Sequence, residues 1–399
     1  LRLLYLHQHF STPEGATATR SFAMAGALAA RGHQVTLACG QYAGAVTGLA
    51  GPFRRGRREG AVAGFRVVEF AIPCGNVQGA AARSRAFLRY AARATTLALA
   101  GRFDLVLASS TPLSVVLPAL AARRLRRLPF VYEMRDPWPE LPRAMGVGGP
   151  ALWRAMSRVA DAACRESRAV IALSEGMAET ARARGARQVA VLPNGCDLAL
   201  FGPGIRPWRP PGIPPEALLA VYAGAHGPAN GLFQLLEAAA LLRDRRLLIL
   251  LVGEGAERPR LMAAARLLPN LRFLDPMPKP RLAALLAASQ IGLHCLAPVP
   301  AFAEWTAPNK LMDCMAAGLP TVSNAGGRAA RLLEADPLGP CGIAVPPGDP
   351  AALAAALDGL AADPDRRAAL GRAGRAQAEQ RWDRRLLAER FCAVLEAAA

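Results

Sequence analysis

A chain of 399 residues, 52% of them hydrophobic, is long enough for two or three domains with real cores and too apolar to be a disordered polypeptide. The net charge of +18 is uneven: residues 1–199 hold 26 Arg against 12 acids, and 46 of the 48 basic residues of the whole chain are Arg. Such a surface suits an anionic lipid face, a pyrophosphate-bearing acceptor or nucleic acid, and an arginine-rich composition shown on a solvated face gives the same count. Few aromatics stand among the arginine clusters, which weighs against single-strand nucleic-acid stacking. The eight cysteines form no C-x-x-C pair, so buried thiols are expected, with neither a disulfide framework nor a zinc site. No apolar run reaches the roughly 18–20 residues that span a bilayer, and no leader-like segment opens the chain, so a cytosolic location is expected.

Residues 1–6 have the pattern of a short apolar strand, followed by a loop and a helix from about 19 to 31, then a strand over 34–39. In this unit Gly15 would let the backbone approach a ligand, and the helix start favours an anion. His7 and His9 stand at the carboxyl end of the first strand, where α/β sheets bind ligands, although a plain loop or core role is the better reading of each. Residues 40–80 look glycine-rich and irregular apart from a strand over 65–70. A helix over 80–100, a strand over 105–108, a helix over 113–127 and a strand over 130–133 come next. Strands alternating with helices predict a parallel, doubly wound sheet.

The 130–133 strand runs into Glu133-Met-Arg135-Asp136-Pro-Trp138. Arg135 is a fork-shaped donor fit for phosphate or carboxylate, or else the partner of a structural ion pair with Asp136. Trp138 has the character of a wall. After a helix over 151–165 and a strand over 169–173, Ser174 caps a further helix. A strand over 189–192 leads to Pro193-Asn194-Gly195-Cys196-Asp197, where Asn-Gly suits a turn with positive φ. Residues 203–215 contain six prolines, the composition of a stiff connector, which places a domain boundary at 202/203.

The second half starts again with a strand over 218–223 and Gly224-Ala-His226-Gly227-Pro-Ala-Asn230-Gly231, a glycine-rich loop before a helix that can cradle phosphate. Strands over 247–252, 271–274 and 291–295 follow, separated by helices and by the turn Asp275-Pro-Met277. His294 is expected in the core. In Glu304-Trp-Thr-Ala-Pro308-Asn309-Lys310-Leu-Met-Asp313, Pro308 is expected to open a helix, Gly318 to end it in the left-handed region, and Thr321 to start a strand. Lys310 is then available to an anion at a helix N-terminus, and Asp313 offers an acceptor pair to vicinal hydroxyls such as a ribose. This reads as a nucleotide site, while a capped helix with solvated charges explains the same residues. Asp349 caps a later helix, and an amphipathic tail (Leu386, Leu387, Phe391, Val394, Leu395) is expected to cross back onto the first half.

Taken together and in this order, these segments resemble the GT-B glycosyltransferases of family 4. The markers are the loop ending at Arg20, "RGHQVTL" at 31–37, "PNG-x-D" at 193–197 and "G-x-x-V-P-x-x-D" at 342–349. Between them stands the 304–322 segment, where the family has two carboxylates eight positions apart ahead of "AAG-P-V". Asp313 falls on the second; the first falls on Trp305, with Glu304 one residue away. The "APNK" wording is similar to the O-antigen fucosaminyltransferases. The resemblance implies two Rossmann-like domains facing across a cleft: 1–202 on the acceptor side, with a helix over about 381–399 packing back on it, and 203–380 on the donor side. It implies retaining transfer of a sugar, in this subgroup an N-acetylated amino sugar, from a UDP-linked donor, with no metal and no cofactor beyond that nucleotide sugar.

The implied partners are the nucleotide-sugar donor, a polyprenyl-diphosphate-linked saccharide acceptor and an anionic membrane surface on the cytoplasmic side, with no nucleic acid. A soluble natural-product acceptor is the alternative. Carried over residue by residue, Gly15, Gly224, His226, Gly227, Asn230, Met277, Asn309, Lys310 and Asp313 would bind the donor. Arg135, Asp136, Lys310 and Glu304 would serve the reaction, and His9, Arg20 and Trp138 would face the acceptor. Arg135 stands where the family has a His before Asp136. A Lys that the family places near Asn230 is missing, which leaves its charge to Lys310, Arg20 or Arg135. An NAD-dependent oxidoreductase and a basic nucleic-acid-binding protein are the readings from other classes, and the missing G-x-G-x-x-G argues against the first.

Overall fold

The computed structural model describes residues 1–75, 77–305 and 309–399. They fold as two compact units, Leu1–Pro193 with Arg385–Ala399, and Asn194–Arg384. The first unit is built on eight strands: β1 Arg2–Leu6, β2 Gln34–Tyr42, β3 Arg57–Val62, β4 Phe65–Cys74, β5 Leu105–Ser109, β6 Phe130–Met134, β7 Ala169–Ala172 and β8 Val189–Val191. Their order in the sheet is β3-β4-β2-β1-β5-β6-β7-β8. Every pairing is parallel except β3 with β4, and Leu3 sits between Val35 and Leu105 at the centre. β5, β6 and β7 are buried along their whole length, as continuous apolar runs must be when helices cover both faces. The Arg384–Ala397 helix sends Leu387, Phe391 and Leu395 inward, and Phe391 and Leu395 join the core with Leu3, Tyr5, Leu28 and Leu107. The amphipathic tail thus packs with the first half.

The 40–80 stretch is more regular than its composition suggests. It holds β3 and a β4 that runs on to Cys74, joined by Ala63 and Gly64 at φ +47° and +87°. Two residues at positive φ between antiparallel strands make the mirror-image hairpin turn, and an alanine there hides the signal usually carried by Asn or Asp. β3 itself alternates only between exposed and half-buried positions, so no apolar periodicity marks it.

The second unit has six parallel strands: β9 Leu218–Ala223, β10 Leu247–Val252, β11 Leu271–Leu274, β12 Ile291–His294, β13 Thr321–Ser323 and β14 Gly342–Ala344. Their order is β11-β10-β9-β12-β13-β14. This unit already begins at Asn194, ahead of the proline-rich stretch. Cys196 and Phe201 are buried with Leu219, Leu250 and Leu311, and the Cys196 backbone pairs in extended fashion with residues 382–384 through Cys196 N–H to Trp382 O (2.6 Å) and Arg384 N–H to Cys196 O (3.0 Å). That extended pairing also explains why neither Asn194 nor Gly195 takes the positive φ expected of an Asn-Gly turn. Ser174 and Asp349 cap their helices, accepting from Met177 N–H and Ala352 N–H, and Gly318 closes the Asn309–Ala316 helix at φ +70°. The opening of that helix by Pro308 lies outside the described residues. Among the described residues no helix is long and apolar enough to cross a membrane.

Candidate functional site

In the second unit the carboxyl end of β9 continues into the Gly224–Gly231 loop, with Gly224 N–H extending the ladder to Val252 O (2.9 Å). A Cβ on Gly224 would collide with Cε of Lys310, so the glycine is the floor over which that lysine passes. Lys310 comes from the first turn of the Asn309–Ala316 helix, with Asn309 half-buried beside it. Its ammonium donates to Asn230 Oδ1 at 3.1 Å and stands 5.0 Å from the centre of the Tyr222 ring. Both partners are neutral, and burial pushes the Lys310 pKa down to about 8. At neutral pH the ammonium is still the major form, and among the described residues no carboxylate pairs with it directly. Lys310 therefore reaches the neighbourhood of Asn230, where a lysine had been expected and is missing.

One turn along the same helix, Asp313 accepts a 2.8 Å hydrogen bond from Nζ of Lys279, an ion pair whose side chains are only 13% and 11% exposed. Lys279 also lies 5.7 Å over the Phe201 ring. Asp313 is thus not the unengaged acceptor pair expected, since one oxygen is already taken. Met277 packs half-buried against the core beside these groups, and the space a Cβ would enter at Gly227 is open.

His226 departs from expectation. It is completely buried, about 6.1 Å from the rings of both Tyr222 and Phe273, and neither ring nitrogen has a protein hydrogen bond. Burial, then the nearby Arg258, lowers its pKa to about 4, so the ring is neutral. Its backbone locks the loop in place, His226 N–H to Glu254 O and Glu257 N–H to His226 O, both 2.9 Å. Glu304 also departs: its half-exposed carboxylate is 2.7 Å from Arg331 Nη2, and the structure joins it to that surface arginine. His294 is a core residue, as expected, with Nδ1 2.8 Å from Ser323 Oγ and its pKa lowered by burial to about 3.

In the first unit the groups gather at the carboxyl ends of β1, β5 and β6. His7 is buried, with Nδ1 3.2 Å from Ser109 O and Nε2 3.0 Å from Arg135 Nη1. A carbonyl only accepts, so Nδ1 carries the proton and Nε2 receives the arginine's N–H. Burial, then Arg135 itself, drives the His7 pKa down to about 3, which keeps this acceptor neutral. Arg135 N–H is held by Ser110 Oγ (3.0 Å). The alternative of an Arg135–Asp136 ion pair is not realised among the described residues: Asp136 accepts from the Thr111 hydroxyl instead, and burial raises its pKa.

The acceptor-side expectations fare less well. Arg20 is 3% exposed, and its three nitrogens are taken by Glu133 Oε1 (2.9 Å), Pro193 O (2.8 Å) and Leu192 O (3.0 Å). It is a scaffold cation, not a group offered to an anion. Against burial, which alone would raise it, Arg20 and Arg135 hold the Glu133 pKa below the usual carboxylate value. Gly15 likewise serves its own chain: a Cβ there would collide with Ser11 Oγ and stand 2.8 Å from Val46 N. The His9 ring lies 4.2 Å from Tyr42, and its Nε2, like Nε1 of the half-buried Trp138, is buried without a protein partner. Sequence reasoning missed Lys279 and the hold of His7 on Arg135. A signal for the first was present, since Lys279 and Lys310 are the two lysines of a chain that otherwise uses arginine.

Residues 15–195 match the family model described as a glycosyl transferase 4-like domain, and residues 217–363 match that of the glycosyl transferases group 1. Among curated proteins the chain is 32% identical over 108 residues to WcaI of Escherichia coli K12, provisionally named a colanic acid biosynthesis glycosyl transferase, covering 27% of this chain and 26% of that one. It is 29% identical over 209 residues to the D-inositol 3-phosphate glycosyltransferase of Pseudarthrobacter chlorophenolicus, covering 49% and 48%. The matches span about a quarter and about half the length of these curated relatives. Among solved structures, sucrose-phosphate synthase from Thermosynechococcus elongatus shares the fold with TM-score 0.74 at 18% identity over 100% of both chains. Anabaena HepE, solved with UDP and glucose, does so with TM-score 0.67 at 19% identity over 99% of both.

Proposed function

We propose that this chain, which matches two glycosyltransferase domain models over residues 15–195 and 217–363 and has the GT-B fold, moves a sugar from a UDP-linked donor, with retention, to a saccharide carried on polyprenyl diphosphate. The observation that carries the reading is the Lys310 ammonium, held over Gly224 by the neutral Asn230 at a glycine-rich loop and a helix start. That is a cation poised for a diphosphate in surroundings that also present backbone donors. As the bond between the anomeric carbon and the diphosphate oxygen breaks, Lys310 stabilises the departing charge, so no divalent ion is required. The acceptor oxygen attacks on the same face and gives its proton to the leaving phosphate. Asp313 holds the ribose hydroxyls. In the first unit, Arg135, held by the neutral His7, is by itself a cation fit for an anionic group. Glu304 is left out, since it is engaged by Arg331.

UDP is the favoured nucleotide because a protein of the same fold, HepE, was solved with UDP. The wording of the 304–322 segment favours an N-acetylated amino sugar for surface polysaccharide synthesis, and the arginine excess of residues 1–199 favours an anionic lipid surface on the cytoplasmic face. Thermal unfolding with UDP, GDP, dTDP and NAD⁺ tests the donor. A ligand that binds only the folded state adds about 2.7 kcal/mol at a hundredfold excess over Kd. A shift with NAD⁺ alone overturns the reading. Sedimentation with anionic and neutral liposomes at low salt tests the acceptor side, where equal partitioning would favour a soluble acceptor.

A further inference from the structure

The chain has 46 arginines and two lysines, and both lysines belong to the Asn309–Ala316 helix site, Lys310 within the helix and Lys279 paired with Asp313. Against a composition so rich in arginine, these two lysines stand out. For Lys310 the reason is visible in the narrow passage over Gly224. For Lys279 a second reason is available from what a guanidinium can do to a carboxylate: some of this molecule's arginines take one oxygen, as Arg20 does of Glu133 and Arg58 of Glu69, but others take both. Arg31 takes both oxygens of Glu396 (2.9 and 3.0 Å), and Arg246 takes both oxygens of Asp244 (3.1 and 2.7 Å). Arg124 grips both oxygens of Glu166 in the same way. A planar guanidinium matches a carboxylate as a fork, whereas an ammonium is a point donor that satisfies one oxygen.

Lys279 binds Oδ2 of Asp313 at 2.8 Å, and among the described residues Oδ1 makes no hydrogen bond to protein. We propose that Lys279 is a positioning residue for nucleotide recognition: it anchors Asp313 through one oxygen and so leaves the other oriented to accept from a ribose hydroxyl, a division of the carboxylate that arginine would abolish. The proposal rests on the reading of Asp313 as the ribose partner. It assigns Lys279 no contact with the nucleotide itself.

The test is equilibrium binding of UDP, GDP and their 2′-deoxy counterparts to the full chain, read as the ribose-to-deoxyribose affinity ratio. A hydrogen bond to a charged acceptor makes the native ratio about ten- to a hundredfold. Asp313→Asn is expected to bring it within about threefold of unity, because an anchored carboxylate is no longer there. Lys279→Arg keeps the ion pair and the unfolding temperature, yet is expected to lose the ratio to the same extent, since the fork occupies both oxygens. A purely structural ion pair predicts the opposite, with Lys279→Arg retaining the native ratio, and that result overturns the inference while the Asp313 reading stands. Should Lys279→Arg fail to fold, Lys279→Met is the second variant. It removes the anchor altogether, so it too is expected to lower the ratio, and a native ratio there is equally fatal. A native ratio in Asp313→Asn, or no binding of either nucleotide, removes the ribose reading and the inference with it.

Discussion

Each unit holds a pair of cations at its strand ends, and within each pair the two are treated differently. In the first unit Arg20 is neutralised by Glu133 while Arg135 is held by the neutral His7. In the second, Lys279 is neutralised by Asp313 while Lys310 is held by the neutral Asn230 and lies over Tyr222. A cation fixed by a neutral acceptor is positioned without having its charge cancelled, so it can still attract an anion. The units differ in the chemistry of that cation. Arginine stays charged at any relevant pH, whereas burial brings Lys310 to a pKa of about 8, within reach of mild alkali. An anion held through Lys310 is therefore expected to be lost in mild alkali, and one held through Arg135 is not.

The largest expected effect separates the two arginines of the first unit. Arg20→Met leaves Glu133 buried and unpaired and is expected to cost about 3–5 kcal/mol in urea unfolding. Arg135→Met leaves Glu133 its direct partner Arg20 and removes only a nearby charge from Glu133 and Asp136, so it is expected to cost less, about 1–2 kcal/mol. Similar losses for the two would erase the distinction.

Next comes Lys310→Met, with an expected fall in UDP affinity of about ten- to a hundredfold by calorimetry. Stability should not fall at pH 7. Because the folded state depresses this pKa, the unfolded chain binds the proton more tightly. The group therefore penalises folding below about pH 8, and the penalty fades as pH rises from there toward the ordinary lysine value. UDP affinity of the native chain should decline above about pH 8 as the ammonium is lost.

A smaller effect, roughly tenfold in UDP affinity, is expected of Gly224→Ala, whose methyl displaces only the flexible end of Lys310 from Asn230. Unchanged affinity would show that the position of Lys310 does not matter. The smallest belongs to Glu304→Gln. Its exposed pairing with Arg331 is worth about 0–1 kcal/mol, and UDP affinity should stay within about twofold. A large loss would return Glu304 to the donor site.

Much of this architecture was legible without coordinates. Apolar runs separated by helices led to two parallel sheets, and the caps at Ser174, Asp349 and Gly318 were readable because a cap is a contact between residues three or four apart. The β3–β4 hairpin was not, because its turn uses an alanine and β3 has no buried face. The loops around Gly224 and Arg135 do carry the cations Lys310 and Arg135, whereas Arg20 is engaged by Glu133 and backbone carbonyls, Gly15 packs against Ser11, and His226 is buried between Tyr222 and Phe273.

By itself, then, the order of residues determined the class of fold, most of the strands and helices and the identity of the charged groups near strand ends, since each depends on short-range periodicity and backbone preference. What only the tertiary structure decided is the partner of each charge. Arg20 meets Glu133, His7 meets Arg135 and Lys310 meets Asn230 across 113, 128 and 80 positions of chain. Whether a cation is neutralised or merely held is an electrostatic matter of a few ångströms, which no local pattern encodes.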